Sequence, residues 1–114
     1  MLKQIKGYDG YFVSDDGIVY SNLGQGNRNR ENRTMMYALK PKISKARPYP
    51  RVTLRNPETG KRDEKYIRRL VAEAYLPNPE NKPIVINKDW NYSNNKVNNL
   101  MWCTLKEARN FSSD

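Results

Sequence analysis

Apolar and polar residues alternate over two short stretches near the N-terminus, Tyr11 to Ser14 and Ile18 to Ser21, at the period of two that a half-buried strand requires. Asp15-Asp16-Gly17 lies between them. These residue types tolerate positive φ, so the segment predicts a β-hairpin with a tight turn. A second alternation runs from Arg51 to Arg55, where Val52 and Leu54 face one way and Arg51, Thr53 and Arg55 the other. Asn56 to Gly60 is a turn, and Lys61 to Ile67 is the expected return strand. The period then changes: Leu70, Val71 and Ala74 fall at helical spacing over Arg68 to Tyr75, and Pro77 ends the helix. A short strand at Ile84 to Ile86, an asparagine-rich loop, a second short helix, a closing strand and a tail helix over Leu105 to Phe111 complete the chain. The pattern is that of an α+β protein in which two β-hairpins come first.

Composition changes this picture at one place. A chain of 114 residues suits one domain, burying roughly two-thirds of the surface its unfolded form exposes. With 21 Lys and Arg against 12 Asp and Glu, the net charge is +9, which favours a polyanionic partner. The charge is concentrated in residues 23–56, which hold nine Lys and Arg against one acid, Glu31. Gly24 to Arg33 is polar and without periodicity, and suits a loop that orders on a phosphate backbone. Arg28, Arg30, Arg33, Lys42, Lys45, Arg47, Arg51 and Arg55 are therefore the candidate phosphate contacts, with duplex DNA as the expected partner. The bland alternative is a solvated basic face with no dedicated ligand.

Other classes are poorly served. No apolar run reaches the roughly 18 residues of a membrane span, and the N-terminus lacks the apolar core of a secretory leader, so a cytoplasmic location is expected, that of the host cell if the gene is carried by a phage. Cys103 is the single cysteine and there is no histidine, which leaves neither a disulfide nor an ordinary zinc site. A small buried residue on the closing strand is the expected role of Cys103.

The stretch Tyr66 to Thr104 resembles the HNH (ββα-metal) module of phage and intron homing endonucleases, matching it at Ile67, Arg69 to Ala74, Pro77 to Pro79, Asp89, Asn91, Asn94, Asn95, Asn99, Leu100, Trp102 and Thr104. Upstream, Ile5, Gly7 to Tyr11, Val13, Ser14, Gly17, Val19 and Ser21 are similar to the small modular domain that commonly precedes that module. The resemblance implies two hairpins followed by a ββα-metal-like unit, with a modular and basic region at 1–56 and the HNH-like unit at 57–114, together one compact body. The family's chemistry falls on positions where this chain differs. Arg68 stands where the family has a helix-start His, Ile86 where it has a polar metal ligand, and Asn87 where it has the general-base His. Nine residues after Asn99, the last-helix ligand position holds Ala108. A guanidinium at Arg68 opposes a divalent cation but suits a phosphate. An amide at Asn87 accepts no proton near neutral pH.

From these replacements the chain is expected to be no enzyme, to bind no metal and to use no cofactor. Asp89, Asn91 and Ser93 are expected to form turns, and Asn94, Asn95 and Asn99 to hydrogen-bond the loop backbone and cap the short helix. Trp90, in place of the family's Gly, is expected to stack on a base or fill a protein interface. Three functions follow: an inactive DNA-binding protein that regulates or blocks a site; an inhibitor that binds a host defence protein through Ile86, Trp90 and Tyr92; or a weak nuclease with an atypical site built from Asn87, Asp89 and Glu73 or Glu107.

Overall fold

A computed structural model describes residues 2–22 and 36–112. The elements in order are β1 (Leu2–Gln4), β2 (Tyr11–Ser14), β3 (Val19–Ser21), β4 (Tyr37–Ala38), β5 (Arg51–Arg55), β6 (Arg62–Tyr66), α1 (Ile67–Tyr75), β7 (Ile84–Asn87), a 3-10 turn (Val97–Asn99), β8 (Leu100–Cys103) and α2 (Leu105–Ser112). They form a four-stranded sheet in the order β1-β2-β3-β4 and two two-stranded sheets, β5-β6 and β7-β8. All pairings are antiparallel. The fold is the mixed α/β arrangement of hairpins and helix expected.

Three local expectations change. β1 and β4 extend the first hairpin into a sheet. Neither alternates apolar and polar residues over a length that marks a strand, and β1 is exposed throughout, so each depends on pairing with its neighbour for its conformation. The expected second helix is a single 3-10 turn, whose N-cap, Lys96, makes no side-chain cap bond. The asparagines around it therefore do not cap it.

One apolar cluster holds the three sheets together. Val13 and Val19 enter it from β2 and β3, Val52 and Leu54 from β5, Ile67, Leu70, Val71 and Ala72 from α1, and Val85 and Leu100 from β7 and β8. Each fully buried Val, Leu or Ile contributes about 1.5–3 kcal/mol relative to exposure. β5 alternates as its sequence requires: Val52 and Leu54 are buried, while Arg51, Thr53 and Arg55 point away. Cys103 is buried and free, and burial pushes its thiol up.

Polar bonds fix the sheets to one another. The Tyr75 hydroxyl donates to the Val13 carbonyl at 2.7 Å, and the Arg55 amide donates to the Tyr11 hydroxyl at 3.2 Å. Tyr8 donates to the Asp63 carboxylate at 2.7 Å, and that bond chiefly pushes its phenol up to about 12. The β2-β3 turn docks directly on the loop between β7 and β8. Gly17 has φ +86°, and a Cβ there would meet the Asn95 carbonyl oxygen at 2.7 Å, so both the conformation and the space demand glycine. Beside it the Val97 amide donates to the Asp15 carbonyl at 2.9 Å.

α2 starts with a capping box. Thr104 Oγ1 accepts from the Glu107 amide at 3.1 Å, and Glu107 Oε1 accepts from the Thr104 amide at 2.9 Å. The Thr104 N–H and then Lys82 hold the Glu107 carboxyl below the usual carboxylate range.

Candidate nucleic-acid interface

β5 and β6 pair Arg51 with Tyr66, Thr53 with Glu64 and Arg55 with Arg62. Cross-strand partners share a face, so these six side chains make one outer surface, opposite the core face of Val52 and Leu54. Two cations from the preceding segment join it. Lys42 forms a β-bridge with Arg51, and its Nζ donates to Thr53 Oγ1 at 3.2 Å. Arg47 Nη1 lies 3.3 Å from Glu64 Oε1, and Arg51 Nε 3.3 Å from Glu64 Oε2. Lys42, Arg47, Arg51, Arg55 and Arg62 thus share one face with a single acid, Glu64, which pairs with Arg47 and Arg51. A two-stranded ribbon of this kind is narrow enough to lie in a B-DNA major groove.

The surface continues at the β6-α1 junction. Tyr66 ends β6, and its ring meets that of Tyr49 edge to face at 5.9 Å. Tyr49 in turn packs on Tyr92 at 4.5 Å. The Arg68 guanidinium lies over Tyr49, 4.2 Å from the ring centroid, and 5.9 Å from that of Tyr66. Such stacking holds a guanidinium in one plane while leaving its N–H edge free to bond. Arg68 makes a long hydrogen bond, 3.4 Å from Nη1 to Asn87 Oδ1, and no ion pair engages it among the described residues. A hydrogen bond with Tyr49 pushes the Tyr92 phenol up.

The loop between β7 and β8 spends its polar groups internally. Asn87, 1% exposed, donates from Nδ2 to the Asn94 carbonyl and to Asn95 Oδ1, both at 2.9 Å. Asp89 Oδ1 accepts from the Asn91 amide at 2.8 Å and from Asn99 Nδ2 at 2.9 Å, and Oδ2 accepts from Asn94 Nδ2 at 3.0 Å. Those bonds, the Asn91 amide first, hold the Asp89 carboxyl below its ordinary range. Asn99 also donates to the Asn94 carbonyl at 2.8 Å and accepts from the Asp89 amide at 3.2 Å. Asn95 and Asn99 bond the loop backbone as the sequence suggested, and Asp89 closes a turn on the Asn91 amide. Trp90 follows at φ +61°, 38% exposed, so an indole occupies a conformation that favours glycine.

These donors do not form a cage for a divalent ion. Asn87 Oδ1 faces the permanently charged Arg68, Ile86 is 5% exposed and apolar, and Ala108 has no donor. The atypical set fares no better: Glu73 pairs with Arg69 at 3.2 Å, Glu107 is taken up by the capping box and Lys82, and Asp89 by the loop. Among the described residues no group of three or more His, Cys, Asp or Glu stands together. The burial of Ile86 also removes it from any protein-binding surface with Trp90 and Tyr92.

The structure brings Lys42, Arg47, Arg51 and Arg55 onto one face and sets Arg68 at its end. Lys45 is exposed on the segment leading into β5, and Trp90 lies in the β7-β8 loop, three residues after β7 ends. Arg28, Arg30 and Arg33 lie outside the described residues. Sequence reasoning missed Arg62, Glu64 and Tyr66 as members of the surface, although the β6 alternation Arg62, Glu64, Tyr66 carries the signal. It also missed the Tyr49, Tyr66 and Tyr92 group under Arg68, which only tertiary packing assembles.

The NUMOD4 motif matches residues 3–55. A protein of Acanthamoeba polyphaga mimivirus, named an uncharacterized HNH endonuclease, is 37% identical over 97 residues, covering 85% of this chain and 25% of that protein. The HNH homing endonuclease I-HmuI, whose solved structure concerns DNA binding and cleavage, is similar with a TM-score of 0.75 and 34% identity over 96% of this chain and 56% of that one. The chain therefore spans about a quarter of one relative and about half of the other. These findings overturn the expectation that the chain is no enzyme. The proteins it matches are named for endonuclease activity, and replacement of histidine at two positions of the family's usual pattern does not place a chain outside an enzyme family. Among the described residues no helix is long and apolar enough to cross a membrane.

Proposed function

Because the chain belongs to the HNH homing endonuclease family, we propose that it binds duplex DNA along the outer face of β5-β6, with Arg68 holding a backbone phosphate where that face meets the β7-β8 loop. The observation that carries this is the gathering of Lys42, Arg47, Arg51, Arg55 and Arg62 on one face that holds a single acid, continued by an arginine that stacks on tyrosine and has no acidic partner among the described residues. Lys45 extends the same contact, and Arg28, Arg30 and Arg33 belong to it by charge and sequence position. Trp90 stacks on an exposed or unstacked base beside the β7-β8 loop. The working unit joins 1–56 to 57–114, because the β5-β6 hairpin spans that division. Phosphodiester cleavage, the reaction that names the relatives, belongs on this reading to the Arg68 and Asn87 end of the surface, where guanidinium and amide can hold and orient a phosphate.

The test is titration of the purified protein with random duplex DNA across a salt series, with magnesium or manganese present and the product run on a denaturing gel. The expected result is binding whose log K falls linearly with log salt, at a slope of about −0.9 for each phosphate neutralised. Absence of binding at low salt sinks the proposal. Nicked product on the same gel assigns the relatives' reaction to this chain.

A further inference from the structure

We propose that Glu64 occupies a phosphate subsite between Arg47 and Arg51, as an internal counterion that the DNA backbone displaces on binding. The inference rests on the DNA-binding reading above and names the contact at its centre. Glu64 is the one acid among the six cross-strand side chains of the β5-β6 outer face. Its two oxygens are divided between two arginines, Oε1 to Arg47 Nη1 and Oε2 to Arg51 Nε, each at 3.3 Å. A carboxylate presents the same charge and the same pair of acceptor oxygens as the non-bridging edge of a phosphodiester. The geometry is that of a substitute ligand rather than a structural lock: charge-assisted bonds run at about 2.7–2.9 Å, and a structural Arg–carboxylate pair is commonly bidentate.

Arg51 shows what the substitute leaves undone. Its side chain is 15% exposed, and its Nη1 is buried with no hydrogen-bond partner. A buried donor without a partner is uncommon in folded proteins. A cleft of about 280 Å³ opens beside it, lined by Arg47, Arg51, Glu64, Lys65 and Tyr66, so the vicinity is basic and reachable from outside. A phosphodiester entering there offers its oxygens to both guanidinium groups, including Nη1. Glu64, 43% exposed, then turns to solvent. An anionic residue at this position weakens every polyanion equally, so only a backbone that also reaches Arg55, Arg62 and Arg68 displaces it with a net gain.

Glu64→Gln tests this with random duplex DNA over a salt series, beside the unaltered protein and the Arg51→Ala, Arg55→Ala double variant. The glutamine variant is expected to bind about three- to tenfold tighter at low salt, with a salt slope steeper by about 1 because one more cation is neutralised by DNA alone. Equal or weaker binding by the glutamine variant, with its thermal midpoint unchanged, overturns the inference. A second measurement needs no variant: the Arg51 Nε–Hε nitrogen-15 resonance of the unaltered protein should shift as duplex is added, and a resonance that stays fixed while backbone amides of β5 move overturns the displacement. If the unaltered protein fails to bind duplex at all, the DNA-binding reading itself has failed. If the unaltered protein binds and the double arginine variant does not, but Glu64→Gln brings no gain, the failure is confined to the subsite.

Discussion

On the outer face of β5-β6, five cations stand with one carboxylate, Glu64, which pairs with two of them, Arg47 and Arg51, whereas in the β7-β8 loop the single carboxylate, Asp89, is met by three donors from Asn91, Asn94 and Asn99. Both regions are dense in polar residues. In the first the contacts are long and partly exposed, and an arginine donor goes without a partner. In the second, buried asparagines close a network in which the amide groups of Asn87 and Asn99 are each used at both ends. The difference shows where a polar residue remains available to a ligand: hydrogen-bonding capacity spent inside the fold holds geometry, and capacity left over is what a phosphate can use.

That contrast is sharpest in stability. Asn99→Ala removes a donor from Asp89 and from the Asn94 carbonyl and an acceptor from the Asp89 amide. It is expected to cost about 1–2 kcal/mol, chiefly for leaving the half-buried Asn94 carbonyl without its Asn99 donor beside the space of a buried side chain, measured by chemical denaturation. If the variant is as stable as the parent, the network is not what orders the loop. The Arg51→Ala, Arg55→Ala pair should do the reverse. Stability should change by no more than about 1 kcal/mol, because Glu64 is 43% exposed and the buried Arg51 Nη1 has no hydrogen bond to lose. Affinity for duplex should fall by roughly tenfold or more, and the salt slope should become shallower by about 2. Unchanged affinity would count directly against the surface.

Trp90→Gly probes the large apolar group exposed on the loop. Glycine suits φ +61°, so the variant should be no less stable than the parent by more than about 1 kcal/mol. Its affinity for DNA carrying unpaired bases should fall by about 1–3 kcal/mol if the indole stacks on a base. Equal affinity in both proteins removes Trp90 from the contact.

The smallest effect is a pH dependence outside both regions. The Tyr8 phenol ionises at about 12 in the fold against about 10 in an unfolded chain, so its bond to Asp63 stabilises the protein fully below about pH 10 and is lost as pH rises through about 12. Tyr8→Phe should lower stability by about 1 kcal/mol at neutral pH and remove that component of the alkaline decline. A decline identical in both proteins would mean that another group causes it.

Much of the architecture is legible in the residue pattern alone. The alternation of Val52 and Leu54 with Arg51, Thr53 and Arg55 sets which face of β5 meets the core, because a strand's side chains alternate whatever surrounds it. Leu70, Val71 and Ala74 mark α1 for the same kind of reason, at a different period. β1 and β4 are not legible: strands this short hold their conformation through a paired neighbour. The capping box of α2 stands in the sequence as Thr-x-x-Glu at Thr104 and Glu107, a local signal that needs no tertiary context.

Of the site, the sequence determined the supply of charge, the basic face of β5, the glycine at the β2-β3 turn and the absence of histidine, since each is a property of residue identity and local period. The tertiary structure decided which of those charges stand together. It set Arg62 and Glu64 across from Arg55 and Thr53, laid Arg68 on Tyr49, and turned Asn87 inward to Asn94 and Asn95. Pairing across strands and packing between elements distant in the chain are settled by the burial of one shared core, and no local pattern records them.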